Sequence, residues 1–429
     1  MTNLPGRQTV TRMTQATPAR PPGKNAFLFV LVTVFLDNLA FGLIIPVIPT
    51  LVQDLTGTPP ENATLWIGAL AATYALMNFL MGPLLGALSD RFGRRPVLLG
   101  SMGMLGIDFL IMAIAPTIWI LFIGRALSGI AGATFATANA YIADTTTPQE
   151  RGRAFGTIGA AFGLGFIFGP VLGGLLGEAD PRLPFYIAAG LAGLNVLYGL
   201  FVLPESLTPE RRRAFDLTRA NPLGAARHFS KLPQMAWFLI AGGVYFLAHT
   251  VYPSTWAVHS EIRYGWSPRE IGLSLGLVGI GAAVVQAGLM GMILKRIGLV
   301  RTALLGLGMN MTAMTGFAFA GLPWLVFVFL PFSAIGGVAT PSINAIMSRL
   351  TPADAQGELQ GATSSLNALG MILGPLTMNA VLFSFTHEGA WLHFGGAAFL
   401  LAAMLTGLAI LIFQRGLAAN REALPALSA

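Results

Sequence analysis

The chain contains no cysteine and very little charge. Only 10% of its 429 residues are charged and 54% are hydrophobic, whereas soluble domains carry about 25% charged residues. The lack of thiols excludes disulfides and thiolate metal sites. The scarcity of charge, with a mean hydropathy of +0.69, excludes an ordinary water-soluble domain and favours a membrane protein.

Hydrophobic runs of about 20 residues recur along the chain, each long enough to cross a hydrocarbon core of about 30 Å. Lipid offers no partner for unpaired backbone groups, so such runs form helices, and they lack the short alternating segments of a membrane barrel. The sequence therefore predicts an all-α membrane protein with twelve transmembrane helices, at 26–51, 64–88, 97–116, 117–142, 154–177, 183–204, 235–257, 269–294, 299–320, 322–348, 358–384 and 389–414.

Polar segments divide the chain. Residues 1–25 are rich in Thr, Pro and Arg and lack an apolar core, so we expect a disordered cytoplasmic tail and not a signal peptide. The longest polar interruption, 205–234, is predicted to be a cytoplasmic linker between two six-helix halves, 26–204 and 235–414. A second cytoplasmic tail is predicted at 415–429.

The two halves share a register. A shift of 205 residues superposes Gly86 on Gly291, Arg91 on Arg296, Gly93 on Gly298, Gly152 on Gly357, Gly156 on Gly361, Gly169 on Gly374 and Pro170 on Pro375. So many matches at one offset indicate an internal repeat. Transporters are commonly built from such halves, with the binding site at their interface.

The basic residues are distributed unevenly across the proposed membrane. Of the 25 Lys and Arg residues, only Arg182, Arg263 and Arg269 fall on one side, and Arg125 falls inside a helix. All others lie in the tails, loops or helix ends of the other side. This asymmetry follows the positive-inside rule and predicts that both termini are cytoplasmic. The net charge of +7 therefore orients the protein and requires no nucleic-acid partner.

One short bend, "GALSDRFGRRP", concentrates charge between helices 2 and 3. A tight bend needs the permissive backbone of glycine, and an acid with three arginines can form charge-assisted pairs between helix ends. A simple topology anchor is the alternative. The bend resembles the signature loop of the major facilitator superfamily, and we expect a cytoplasmic latch formed by Gly86, Asp90, Arg91, Gly93, Arg94 and Arg95.

Three further stretches carry the resemblance: "LDNLAFGLIIPVIP", "GRALSGIAGA" and "GTIGAAFGLGFIFGPVLGG". The last resembles the antiporter motif of that superfamily, which implies export, and its residues are Gly156, Gly165, Gly169, Pro170, Gly173 and Gly174. Ordinary packing glycines are the alternative, because small residues let helices approach closely. Together with "SDRFGRRPVLL", "IADTT" and "GELQG", these stretches look most like the tetracycline/proton antiporters.

Three ionisable residues lie well inside the helices of the first half: Asp37, Asp108 and Arg125. A rise of 1.5 Å per residue places all three roughly 16–18 Å from the inner edge. A charge at the bilayer centre is tolerated chiefly when it is paired or functional. We expect a shared proton-coupling site, which the resemblance also implies, since the tetracycline antiporters carry an intramembrane acid and arginine at matching positions. The alternative is a static ion pair.

The second half is expected to lack acids within its helices. By the resemblance, a His in helix 8 and an Asp in helix 9 would be usual, but Ala282 and the region of Met311 stand there. Proton coupling must then rest on the first half, or tetracycline is not the substrate. Polar residues that we expect at the cavity, unless they form helix–helix hydrogen bonds, are His249, Thr250, Gln286, Asn310, Asn344, Ser365 and Asn367.

The sequence thus predicts a monomeric, proton-coupled drug-efflux transporter of the bacterial inner membrane, in contact with lipid. Its substrate is expected to be a small molecule of the tetracycline type, and the proton gradient replaces any cofactor or metal. A proton symporter that imports a metabolite is the alternative. A membrane enzyme is disfavoured because HExxH and clustered His or Glu are absent, and an ATP-driven pump because no GxxxxGK[ST] loop is present. The lack of a soluble domain argues against a sensor.

Overall fold

The computed structural model describes residues 24–132, 148–207 and 235–420, with residues 137, 141, 209 and 212. The predicted tail 1–25 (except its last two residues), most of the linker 205–234 and the end of the tail 415–429 lie outside the described residues.

Twelve helices and no strand occur in the described part of the chain. We number them α1 (Phe27–Thr56), α2 (Pro60–Phe92), α3 (Arg94–Ile114), α4 (Ile118–Ala131), α5 (Pro148–Gly177), α6 (Leu183–Val202), α7 (Ala236–Tyr264), α8 (Pro268–Ile297), α9 (Leu299–Phe319), α10 (Pro323–Leu350), α11 (Gln356–Ser384) and α12 (Ala397–Ala419). Ten are long and apolar enough to cross a membrane, and α4 is a shorter apolar helix. The predicted all-α, twelve-helix membrane fold is confirmed.

Some predicted helix ends are wrong. Helix 12 was expected from 389 to 414, but it runs from Ala397 to Ala419. The chain before it forms turns, in which the Phe394 N–H donates to the carbonyl of Phe385 at 2.9 Å. Helix 2 continues to Phe92 instead of ending at 88. Apolarity marks only the part of a helix within lipid, so helix ends that extend into polar surroundings escape a hydrophobic pattern.

Helix α7 is interrupted near its middle. Its two segments, Ala236–His249 and Val251–Tyr264, meet at Thr250. Pro253 has no N–H to donate toward the carbonyl of His249, and the Thr250 hydroxyl donates to the carbonyl of Leu247 at 2.6 Å. The interruption presents His249 at the interior of the bundle. Helix α8 contains a π-helical segment, Val285–Leu289, and α10 is interrupted after Gly336.

The ends of α3 and α9 are built alike. Gly93 (φ 108°) precedes α3 and Gly298 (φ 78°) precedes α9, so the shift of 205 relates two positive-φ glycines. At the other ends, the Arg182 guanidinium donates to the carbonyls of Ala113 (2.8 Å) and Ala115 (2.9 Å). Arg263 Nε donates to Ala320 at 2.8 Å. Terminal helix carbonyls lack partners within the helix, and an arginine supplies one in each half.

The two halves touch at one end of the bundle. We call the end that carries the bend 86–95 the basic end, and the other the opposite end. Near the opposite end, a Cβ added to Gly68 of α2 would lie 2.8 Å from the carbonyl oxygen of Pro375 of α11. A Cβ on Gly174 of α5 would lie 3.1 Å from the Cα of Gly272 of α8. Closely packed backbones therefore join the halves there.

The halves separate toward the basic end. Along α5 and α8 the contact continues at Ile167, whose Cγ1 lies 2.6 Å from a Cβ built on Gly279. One turn further, Gly163 has nothing within 4 Å of its Cβ position, and the same holds for Gly156 and, on α8, Gly291. The structure is therefore open at the basic end and closed at the opposite end.

Candidate functional site

Arg125 of α4 pairs with Asp108 of α3. Its Nη2 lies 2.5 Å from Asp108 Oδ2 and 2.7 Å from the sulfur of Met112. Asp108 is 0% exposed and Arg125 is 6% exposed. Gly124 makes room for the carboxylate, since a Cβ there would lie 2.6 Å from Asp108 Oδ1. The pair is thus buried between neighbouring antiparallel helices, and Asp108 Oδ1 and Arg125 Nε have no hydrogen-bond partner among the described residues.

Asp37 of α1 forms no ion pair within the described part of the chain. It is partly buried, and Asp37, Asp108 and Arg125 all lie within electrostatic range of the Tyr74 side chain. The three predicted residues therefore share one region, and Arg125 binds Asp108. The role of Asp37 stays a prediction.

A first cavity of about 260 Å³ lies between the halves. Its polar lining comes from Tyr74 and Arg125 in the first half and from His249, Thr250 and Ser254 in the second. The rest of its wall is apolar, with residues such as Phe41, Ile67, Leu70, Met112, Phe246 and Met371. Arg125 thus belongs both to the buried pair and to the wall of the first cavity.

A second cavity of about 640 Å³ is lined mainly by α7, α8, α9 and α10 of the second half, with Ile45 of α1 and Phe166 of α5 from the first half. Its polar lining consists of Tyr245, His249, Tyr252, Trp256, Gln286, Ser333, Thr340 and Asn344. His249 lines both cavities, as do Ile45 and Pro253. No carboxylate lines either cavity among the described residues, so uncharged groups dominate the second half of the site.

The polar residues expected at the cavity are placed in different ways. His249 and Thr250 line the first cavity, and Gln286 and Asn344 line the second. Asn367 lines a separate small pocket of about 30 Å³.

The remaining two residues, Ser365 and Asn310, line none of these three spaces. The Ser365 hydroxyl donates to the carbonyl of Gly361 at 3.0 Å. Asn310 forms helix–helix hydrogen bonds, the alternative that the sequence allowed. Its amide donates to the Tyr245 hydroxyl (2.6 Å), and its carbonyl oxygen accepts from the Tyr252 hydroxyl (2.8 Å).

The tyrosines and Trp256 were missed by sequence reasoning, because aromatic residues are common in any membrane helix. Their polar ends were the available signal: a buried Tyr hydroxyl or Trp N–H requires a partner. Trp256 Nε1 donates to the Ser274 hydroxyl at 2.9 Å, and Tyr245 and Tyr252 share Asn310.

The residues of the predicted latch bind within their own half. Asp90 pairs with Arg94 at 2.6 Å. Glu205, which follows α6, accepts from the backbone N–H groups of Arg94 (2.8 Å) and Arg95 (3.2 Å), and its carboxylate occupies the space where Gly93 lacks a Cβ. The Arg91 guanidinium lies 5.2 Å from the ring of Phe92.

The bend is therefore a joint whose contacts connect α2, α3 and the chain after α6. Gly86 has open space around it, as expected where the halves are apart. Closure by the predicted latch stays a prediction.

The glycines of the antiporter motif face two neighbours. Gly165, Gly169 and Gly173 recur every four residues and pack on the backbone of α1, where a Cβ on Gly169 would lie 2.7 Å from the Cα of Gly42. Gly174 instead meets α8 of the other half, and Gly156 lies in the open region. Pro170 lies inside α5, against Gly42.

The expectation that the second-half helices lack acids is wrong at their ends. Glu261 lies in the last turn of α7, which continues to Tyr264 instead of ending at 257, and Glu270 and Glu358 lie in first turns. The amide of Gln53 in α1 donates to both Glu261 carboxylate oxygens, at 2.9 and 3.0 Å. This contact joins the halves at the closed end.

The profile of the Major Facilitator Superfamily matches residues 30–375. The chain belongs to this superfamily. It is therefore a multi-pass integral membrane transporter and not an enzyme, which agrees with two cavities lined by helices.

Similar proteins indicate which class of transporter this chain belongs to. The chain is 40% identical to the class C tetracycline resistance protein of Escherichia coli, over 91% of this chain and 97% of the relative. It is 38% identical to the class G tetracycline resistance protein of Vibrio anguillarum, over 92% of this chain and 99% of the relative. These relatives place this superfamily member among drug-efflux transporters, as the resemblance implied.

Solved structures support the fold alone. The human organic anion transporter MFSD10 (TETRAN) is similar with a TM-score of 0.68 and 23% identity, over 92% of this chain and all of that chain. The nucleoside transporter NupG is similar with a TM-score of 0.72 and 17% identity, over 91% of this chain and 99% of that chain.

Proposed function

We propose that this superfamily member is a proton-coupled antiporter that exports tetracycline-type drugs across the bacterial inner membrane. The observation that carries the proposal is the buried Asp108–Arg125 pair, whose arginine lines a cavity between the halves. The kinship with tetracycline resistance proteins supports the substrate class. We further propose that the transporter acts as a monomer in lipid and uses the proton gradient with no cofactor.

The basic end is assigned to the cytoplasm, with both termini. Basic loops mark the cytoplasmic side of a membrane protein, and Arg91, Arg94, Arg95, Lys295 and Arg296 lie at this end. The structure then represents the state that takes up drug from the inside. Rocking of the halves about the central cavities would open the opposite end and release drug outside.

The ion pair supplies the coupling step. An ionised Asp108 holds Arg125 at its carboxylate. When a proton from the outside neutralises Asp108, the attraction weakens and Arg125 is free to reorient at the wall of the first cavity. Loss of the proton to the inside restores the pair. A group that binds a proton at one face and releases it at the other is what antiport requires, and buried carboxylates serve this purpose because their environment controls their protonation.

The proposal is tested in proteoliposomes by tetracycline counterflow and by transport under an imposed pH gradient. Wild type should move tetracycline against the proton flux. Asp108→Asn should lose gradient-driven transport but retain tetracycline binding, whereas Asp54→Asn, at an exposed acid at the closed end, should behave as wild type. Movement of tetracycline in the same direction as protons would indicate the symporter instead. Normal uphill export by Asp108→Asn would remove Asp108 from the mechanism.

A further inference from the structure

His249 lies where the two cavities meet. It contributes to the wall of both, and it and Arg125 are the only Asp, Glu, Lys, Arg or His side chains among the described residues that line either cavity. Arg125 is already bound to Asp108. His249 is therefore the group at the ligand space whose charge is free to change without breaking a pair.

The fold holds the His249 ring between two aromatic rings. Its centroid lies 5.8 Å from that of Tyr245 and 5.1 Å from that of Tyr252. Both tyrosine hydroxyls bind Asn310 of α9, so one amide fixes the two segments of α7 on either side of its interruption. The histidine is thereby positioned by its neighbours, and aromatic faces also stabilise a cation placed beside them.

The ring nitrogens of His249 are available to a ligand. Neither nitrogen hydrogen-bonds to another described residue, and neither is fully buried. His259, further along α7, differs: it is 1% exposed and its Nδ1 binds the carbonyl of Gly395 at 2.8 Å. His249 is only partly buried and faces space.

The surroundings of His249 contain few charges. The titratable groups that face it are Tyr245 and Tyr252 on α7 and, across the first cavity, Tyr74 of α2 and Arg125 of α4. The walls from α8 and α10 supply neutral hydrogen-bonding groups such as Gln286, Ser333 and Asn344. No carboxylate lines either cavity among the described residues, so none stabilises the charged imidazole. Its protonation therefore depends on the protons that reach the cavity.

We propose that His249 is a second proton-binding group and binds the drug directly, in competition with the proton. The inference rests on the proposed function. The neutral imidazole accepts a hydrogen bond from a phenol, enol or amide donor on a flat polycyclic ligand that occupies both cavities. Proton uptake at that nitrogen removes the acceptor and releases the ligand. The proton comes from water at the outside and leaves to water at the inside, so each cycle exchanges one proton at this group for one ligand.

Binding measured without a gradient tests the competition. Tetracycline affinity of the purified transporter in nanodiscs is determined from about pH 5 to 8, where histidine ordinarily titrates. For wild type, affinity should fall by up to about tenfold per pH unit below the midpoint, because proton and ligand exclude each other. His249→Gln, which keeps a hydrogen-bonding side chain but does not titrate, should show a shallower pH dependence, because only the contribution of Asp108 remains.

The matched control is His393→Gln, at an exposed residue between α11 and α12, which should reproduce wild type. Because the titration of tetracycline itself is common to all variants, only the difference between them is interpreted. An identical pH dependence in wild type and His249→Gln would overturn the proposal.

A second measurement needs no transport. The transporter with ¹⁵N-labelled histidine is titrated by NMR, and the His249 signal is identified as the one lost in His249→Gln. The imidazole should titrate between about pH 4.5 and 7.5, and saturating tetracycline should lower the midpoint by about one unit or more. No titration in that range, or a midpoint that bound tetracycline leaves unchanged, would overturn the inference. Absence of tetracycline binding at every pH would instead overturn the proposed function, and the imidazole titration would then decide this inference.

Discussion

Replacement of Arg125 by alanine tests how strongly the buried pair is coupled to the fold. Asp108 is 0% exposed and its partner lies at 2.5 Å, so Arg125→Ala leaves an ionised carboxylate buried without a counter-charge. Breaking such a pair destabilises a protein by about 3–5 kcal/mol. At 1.4 kcal/mol per decade, the ratio of folded to unfolded protein should fall by about a hundredfold to several thousandfold.

The free energy of unfolding can be measured by SDS titration in mixed micelles, followed by tryptophan fluorescence. At pH 8 the full loss should appear. The measurement is repeated at pH 5, where neutralisation of Asp108 would remove the unpaired charge and with it most of the loss. Arg269→Ala, at an exposed arginine in the first turn of α8, should change little at either pH.

The double variant separates a static pair from a coupling pair. Asp108→Asn with Arg125→Ala removes both charges, so most of the stability should return. If the pair couples protons to transport, this stable variant should still fail in gradient-driven export. Recovery of export would show that the pair is only structural. An Arg125→Ala protein as stable as wild type at pH 8 would refute the energetic argument itself.

Three further changes probe the scaffold. Gly93→Ala should reduce the yield of folded protein in size-exclusion chromatography, because the φ of Gly93 is 108° and the Glu205 carboxylate fills the Cβ position. An unchanged yield would mean that the bend can rearrange to accept a Cβ. Asn310→Leu should lower the free energy of unfolding by about 1–3 kcal/mol, because two tyrosine hydroxyls lose their partner, and an equally stable variant would contradict this. Gly174→Ala should displace α8 and increase labelling of cysteines introduced at the closed end. Gly156→Ala should not, because the space around Gly156 is open. Equal labelling of the two variants would exclude tight packing of the halves at Gly174.

The common depth of the three ionisable residues stays a prediction, but the hydrophobic pattern was sufficient for the twelve helices. It did not identify the partner of Arg125, because depth specifies position along a helix axis and not rotation about it. The choice of Asp108 over Asp37 depends on how α3 and α4 face each other, and Gly124 permits that contact. The interruption of α7 had a local signal, Pro253, four residues after His249.

The cavities themselves could not be predicted, because most lining residues are apolar or aromatic and resemble those that face lipid. Asn310 illustrates the difficulty. Its polar side chain suggested a place at the cavity, yet it is 1% exposed and bound to two tyrosines. Whether a polar residue within a helix serves a ligand or a neighbouring helix depends on contacts between distant segments.

The arginines at the ends of α3 and α9 bear on how the two halves diverged. Their acceptors, Ala115 and Ala320, are related by the shift of 205, but the donors are not, since that shift carries Arg182 to His387. Both halves have a carbonyl group that needs a hydrogen-bond donor. Each half supplies an arginine as the donor, but from a different position in its chain. Each guanidinium also lies at the negative end of a helix dipole, which partly offsets its charge. The electrical difference between the two faces of the membrane is therefore larger than a count of basic residues suggests.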